Sequence, residues 1–205
     1  MEENEDEASK VIAPERTKAV PRFRKGVDEE VKGTLRGTAY HRFFEILNYD
    51  CCKDYNSIEE YLKTSVAAGK ISEEYAGLIN LKRFEEFLQT DLGKRMGSAY
   101  KKGLLFREQP FIMELGADMI DKEYPSDEKI LVQGIVDAFF FEDDKVYIVD
   151  YKTDRVEQGK AGEKALVERY HKQLELYADT ISRVTGKETG GCYIYSTCLK
   201  KEILI

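Results

Sequence analysis

Residues 130–152 read ILVQGIVDAFFFEDDKVYIVDYK, and this stretch decides the fold. Ile130 to Phe141 is rich in β-branched and aromatic residues, the composition of a strand. Glu142-Asp143-Asp144 is a polar turn, and Lys145 to Lys152 is a second strand. Side chains on a strand alternate between its faces, so Asp150 and Lys152 point the same way. Asp137 lies on the preceding strand and can sit beside Asp150. The hairpin thereby gathers two carboxylates and an ammonium group in a small space.

Two neighbouring carboxylates are costly unless something positive lies between them. A hard divalent cation such as Mg²⁺ takes oxygen ligands and suits that gap. It can polarise a phosphoryl oxygen and acidify a bound water. Lys152 would then orient the attacking water or stabilise charge growing on the phosphate. A plainer reading also exists: Asp137 caps a turn, and Asp150 with Lys152 is a surface ion pair of little energy. Against it stands the run Val146-Tyr147-Ile148-Val149, apolar enough to be buried on both faces. A charged D-x-K directly after a buried strand is where catalytic groups are placed.

Upstream, Leu104 to Glu114 reads as a further strand. It contains Glu108, either an edge charge or a third carboxylate for the cation. Before it the chain is helical. Residues 37–48 place His41, Phe44, Glu45 and Leu47 at helical spacing. A helix histidine is ordinarily structural; as a metal ligand it would supply a neutral imidazole nitrogen. Ser57-Ile58-Glu59-Glu60 is a capping-box start for a helix to about Ala68, stopped by Gly69. Residues 72–89 read as one amphipathic helix, and 91–101 as a short one. Residues 1–30, charged and carrying Pro14 and Pro21, read as a flexible lead ahead of a domain over 31–205.

Downstream, residues 161–185 form a long helix with Leu166, Tyr170, Gln173, Leu174, Tyr177 and Ile181 on one side. Packing accounts for Tyr177. Gln173 on that stripe needs a polar partner, either within the core or in a phosphate or catalytic lysine. Cys192 to Thr197 and Glu202 to Ile205 look like closing strands. Helices, a β-meander, a helix and more strands make a mixed α/β domain.

The 205 residues suffice for one such domain. No apolar run has the length of a membrane-spanning helix, and the opening MEENEDEASK is too acidic for a signal peptide. The expected location is the cytoplasm, with no membrane partner. The formal charge of −7 argues against a general polyanion binder. It is compatible with a nucleic-acid enzyme whose carboxylates hold metal and whose basic groove is local. Cys51, Cys52, Cys192 and Cys198 form no C-x-x-C pair, so free thiols are expected. No G-x-x-x-x-G-K-[ST] is present, so the chain has no ATP-binding loop of its own.

Taken in order, these residues resemble the RecB-type branch of the PD-(D/E)xK nuclease superfamily, in particular the nuclease domains that end AddA-type helicase/nuclease subunits. Gly37-Thr38-Ala39-Tyr40-His41 with Glu45 is similar to the leading G-T-x-x-H-x-x-x-E helix. Arg107-Glu108-Gln109-Pro110-Phe111 is similar to the R-E-x-P-F strand. Gly134-Ile135-Val136-Asp137 and Asp150-Tyr151-Lys152-Thr153-Asp154 resemble G-I-x-D and D-Y-K-T-D. Gln173-Leu174-Glu175-Leu176-Tyr177 resembles Q-x-x-x-Y. The match covers roughly Pro21 to the end.

The resemblance implies a restriction-endonuclease-like core, a central mixed sheet flanked by helices, with an N-terminal helical part. It implies a Mg²⁺-dependent deoxyribonuclease, with Mn²⁺ able to substitute. The metal ligands would be His41, Asp137, Asp150, the Tyr151 carbonyl and Glu108. Lys152 would be the catalytic lysine, supported by Gln173 and Tyr177. The substrate would be single-stranded DNA unwound by an attached helicase in double-strand-break repair and recombination. An AddB-type subunit would be the partner, and ATP would enter only through the helicase part. Some relatives carry a four-cysteine iron–sulfur cluster; the cysteine positions here differ, so none is expected. A non-catalytic DNA-binding module and a stand-alone phage-type exonuclease of the same fold are the alternatives.

Overall fold

A computed structural model describes residues 23–116, 125 and 129–205. Five helices come first: α1 (Phe23–Ile46), α2 (Tyr55–Ala67), α3 (Glu73–Leu78), α4 (Leu81–Gln89) and α5 (Asp91–Lys101). Strands β1 (Leu105–Gly116), β2 (Lys129–Glu142) and β3 (Lys145–Lys152) follow. Helix α6 (Lys160–Thr185) then leads to β4 (Thr189–Ser196) and β5 (Lys201–Leu204).

The local signals explain most boundaries. The β2–β3 turn places Asp143 and Asp144 at φ +49° and +62°. Two left-handed residues give the two-residue turn whose twist matches a hairpin, and aspartate tolerates that backbone. Gly69 follows α2 at φ +68°, and Gly186 ends α6 in the left-handed conformation.

Two expectations are corrected. The capping box of α2 is Asp54 with Ser57, not Ser57 with Glu60: Asp54 accepts from the Ser57 N–H, and Ser57 Oγ accepts from the Asp54 N–H. The single helix over 72–89 is two, because Asn80 caps α4 by accepting from the Lys82 N–H. An asparagine inside an amphipathic pattern competes with the helix for its own backbone. Helix α1 begins at Phe23, within the segment expected as a lead. The rest of the expected lead, residues 1–22, lies outside the described residues.

The sheet order is β1-β2-β3-β4-β5. All neighbours are antiparallel except β3 and β4, which α6 connects as a parallel crossover. The central strand β3 carries buried side chains on both faces. Val146 and Ile148 pack with Leu166, Leu174 and Ile194 toward α6. Val149 and Tyr151 pack with Phe43, Phe44, Phe84 and Phe87 on the side of α1 and α4. A mixed sheet between α6 and the N-terminal helices is the restriction-endonuclease-like layering that the motif order implies.

The aromatic side fixes α1 to the sheet. The Phe44 ring lies parallel to that of Tyr151 with centroids 3.8 Å apart, and meets Phe84 and Phe87 as well. Phe44→Ala should therefore cost about 3–5 kcal/mol of unfolding free energy by denaturant titration. A loss below about 1 kcal/mol would show that this stack does not hold α1.

Candidate metal centre

The ladder between β2 and β3 runs from Glu142–Lys145 to Ala138–Val149. The next rung would set Asp137 opposite Asp150. Like charges facing each other across a pair are unfavourable, and the ladder ends there. Asp137 instead uses Oδ2 to accept the backbone N–H of Tyr151 at 2.8 Å. Its other oxygen, Oδ1, lies 3.2 Å from Nδ1 of His41 on α1. One carboxylate thus joins β2, β3 and α1.

Glu108 occupies the position opposite Asp137 on the other flank, between the rungs Arg107–Ala138 and Gln109–Val136. Its φ is +49° inside an otherwise regular strand. A non-glycine residue in that region stores strain on the order of 1–3 kcal/mol, and such strain concentrates at functional sites. Its neighbour Arg107 donates to the carbonyls of Phe44 and Leu47 at the end of α1. A guanidinium on terminal helix carbonyls is favourable, and here it ties the helix carrying His41 to the strand carrying Glu108. The sequence gives no signal for this role, since Arg107 and the end of α1 are about sixty residues apart in the chain.

His41, Glu108 and Asp137 each present a ligand atom within 4.8 Å of the others. Two carboxylates and an imidazole form a donor set that suits a divalent cation. Their electrostatics point the same way. Burial and then the charge of Asp137 raise the Glu108 carboxyl to about 6. Burial and again Asp137 raise Asp150 to about 6, while Lys152 pulls it down. Burial lowers the His41 imidazole, but the Asp137 bond and the charges of Asp137, Asp150 and Glu108 leave it raised. This is an acidic cluster short of positive charge.

Asp150 stands beside that trio rather than within its spacing. It is 1% exposed, and its Oδ2 lies 2.7 Å from Lys152 Nζ, an ion pair without hydrogen-bond geometry. Lys152 donates to Gln173 Oε1 at 3.4 Å, and Gln173 donates to the Tyr177 hydroxyl at 2.6 Å. The lysine also lies 4.1 Å from the centre of the Tyr170 ring. In the sequence only its spacing from Gln173 and Tyr177 along one helix face points to Tyr170. The Tyr151 side chain points away from this cluster into the aromatic core, and only its backbone faces Asp137. A cleft of about 300 Å³, lined in part by Arg42, Glu45 and Tyr75, opens onto His41 and Glu108 of the trio. The cysteines Cys51, Cys52, Cys192 and Cys198 are free thiols.

Comparison with known proteins gives the family. The sequence pattern of the PD-(D/E)XK nuclease superfamily matches residues 16–202. The chain is 34% identical over 206 residues to the larger protein named as the A-type subunit of the ATP-dependent helicase/nuclease in Clostridium perfringens (strain SM101 / Type A), covering 98% of this chain and 16% of that protein. It is 30% identical over 233 residues to the protein of the same name from Lachnoclostridium phytofermentans, with 98% and 16% covered. Against that of Thermoanaerobacter sp. (strain X514) the identity is 38% over 163 residues, with 78% and 13% covered. The chain spans about 16% of the length of the first of these relatives. Among the described residues, no helix is long and apolar enough to cross a membrane.

The folded state holds the Glu108 proton more tightly than the unfolded chain, since its pKa is raised from 4.5 to about 6. Stability linked to that proton is present in mild acid and lost as pH rises through about 6. With chelator present, Glu108→Gln should therefore raise the melting temperature at neutral pH by about 1–3 °C, and by less in mild acid. The same variant should bind Mn²⁺ roughly tenfold more weakly in calorimetry. A lower melting temperature with unchanged Mn²⁺ affinity would contradict this assignment.

Proposed function

The chain belongs to the PD-(D/E)XK nuclease superfamily, and on that footing we propose that it hydrolyses phosphodiester bonds of DNA with Mg²⁺. The observation that carries the reading is the meeting of His41, Glu108 and Asp137 within ligand spacing, beside the Asp150–Lys152 pair. His41, Glu108 and Asp137 would hold the cation, with Asp150 and the Tyr151 carbonyl completing its surroundings. Bound there, the cation supplies Lewis-acid polarisation of a phosphoryl oxygen and neutralises the carboxylates.

The chain's own groups do the rest. Lys152, half-enclosed between Asp150, Gln173 and the Tyr170 ring, presents a fixed ammonium to charge developing on the phosphate. Gln173 receives one bond from Lys152 and gives one to Tyr177, so the lysine's position is set from α6. Gln173, partly exposed, would meet the DNA backbone, while the buried Tyr177 hydroxyl holds its amide in place. Asp137 holds the Tyr151 backbone and the His41 ring at once, which keeps the ligands in place before substrate arrives.

The substrate is single-stranded DNA delivered by a helicase part of the same polypeptide. Support comes from the relatives' name, which joins helicase with nuclease, and from the small fraction of their length that this chain spans. A second, AddB-type subunit completes the enzyme, which acts in double-strand-break repair and recombination in the cytoplasm.

Asp137→Asn keeps an acceptor for the Tyr151 N–H and removes the charge. It should leave the fold intact and lower Mg²⁺-dependent cleavage of labelled single-stranded DNA by at least about 10²-fold. Lys152→Ala should do the same, and chelation should abolish cleavage in the unaltered chain. Cleavage that survives in both variants at the original rate would end the nuclease reading of this site.

A further inference from the structure

On the other side of α1 lies a second cleft, of about 260 Å³, whose lining includes Arg36, Tyr40, Arg83, Thr153, Arg155 and Thr197. It carries three arginines, and none of the described residues lining it is acidic. That is unusual in a chain of net charge −7. Elsewhere four arginines are ion-paired, Arg42 with Glu45, Arg95 with Glu142, Arg169 with Asp154, and Arg183 with Asp179, while Arg107 donates to the carbonyls of Phe44 and Leu47. Arg36, Arg83 and Arg155 have no carboxylate partner among the described residues. Asp154 accepts from Arg169 and Tyr170, and Glu86 pairs with Lys200.

The cleft is also tied to the catalytic strand. Arg36 donates to the Thr153 carbonyl at 3.2 Å, and Arg83 to the Thr197 carbonyl. Thr197 in turn donates its N–H to the Lys152 carbonyl at 2.9 Å. Gly37 permits the approach, since a Cβ there would stand 3.3 Å from Thr153 Oγ1. Each guanidinium has five N–H donors, so one bond to a carbonyl leaves a fork free for a second acceptor. Arg155 is exposed and has no ion pair among the described residues.

We propose that Arg36, Arg83 and Arg155 form a phosphate subsite that grips the nucleic-acid strand one step beyond the cleavage point. Three unpaired guanidiniums with fork geometry fit phosphate oxygens, and they make a local basic groove on an acidic protein. The proposal rests on the nuclease reading for the identity of the strand. Its geometry is independent of the metal ligands.

The test measures binding of the 205-residue chain to a 3′-labelled oligodeoxynucleotide about 20 nucleotides long, in chelator, across a salt series. Arg155→Ala should weaken binding roughly fivefold and reduce the salt slope by about 0.7. Arg155→Glu should weaken it further, with the melting temperature unchanged in both. Arg36→Lys and Arg83→Lys, which keep charge and lose the fork, should give smaller losses. Equal losses with 5′-hydroxyl and 5′-phosphorylated strands identify internal phosphates as the ligand. A loss confined to the phosphorylated strand identifies the terminal phosphate, and either result upholds the subsite. Unchanged affinity and slope in Arg155→Glu overturn it, as does an unaltered chain with no salt-dependent binding. If the arginine variants lose binding but the unaltered chain never cleaves with Mg²⁺, the subsite stands and the nuclease reading fails. If the unaltered chain cleaves and Arg155→Glu binds and cleaves equally well, the reverse holds.

Discussion

The Asp137 carboxylate is the junction on which this structure depends. Its two oxygens reach two different elements: the Tyr151 N–H on β3 and the His41 ring on α1. It can do so because the β2–β3 ladder stops one rung short of it. A regular ladder would have buried the Tyr151 N–H against a backbone carbonyl and left the acid free to turn outward. Ending the ladder leaves a donor to satisfy, and an aspartate side chain satisfies it. The same step sets a negative charge between Asp150 and Glu108, whose carboxyls rise to about 6 as a result of burial and that charge. The site therefore holds carboxylates close together in a form that a cation would relieve.

Helix α1 divides the surface around this junction into two electrostatic regions. Thr38, His41, Arg42 and Glu45 face the cleft that opens on the carboxylates. Arg36 and Tyr40, four apart on another helix face, line the arginine cleft. Helix position is held by the Phe44–Tyr151 stack below and by Arg107 at its C-terminal carbonyls. A protein of net negative charge can in this way present carboxylates to a cation and guanidiniums to a polyanion within a few residues of one another.

Much of this was legible in the sequence, and the physical reasons are specific. The hairpin of 130–152 could be read because strand alternation and the Asp143-Asp144 turn leave little freedom of register. Lys152 and Asp150 on one face followed from the same alternation, and Gln173 with Tyr177 from helical periodicity. The break between α3 and α4 was hidden, since Asn80 sits within a pattern that is amphipathic on both sides. The capping partner of α2 was also misplaced, because Asp54 and Ser57 lie before the apolar run that marked the helix. The membership of Glu108 in the trio could not be decided from spacing alone. It depends on a left-handed backbone at φ +49°, which no residue preference announces for glutamate. The arginine cleft was likewise invisible: Arg36, Arg83 and Arg155 are far apart in the chain and meet only through the packing of α1 and α4 on the end of β3.

Strands β1 and β2 and helix α1 bring together His41, Glu108 and Asp137, a group that could hold one cation. Anomalous diffraction from crystals soaked in Mn²⁺ tests this most directly. A peak bounded by the His41 imidazole and the carboxylates of Glu108 and Asp137, with Asp150 beside it, is the expected result. Well-ordered side chains at these positions and no anomalous peak among them would contradict it.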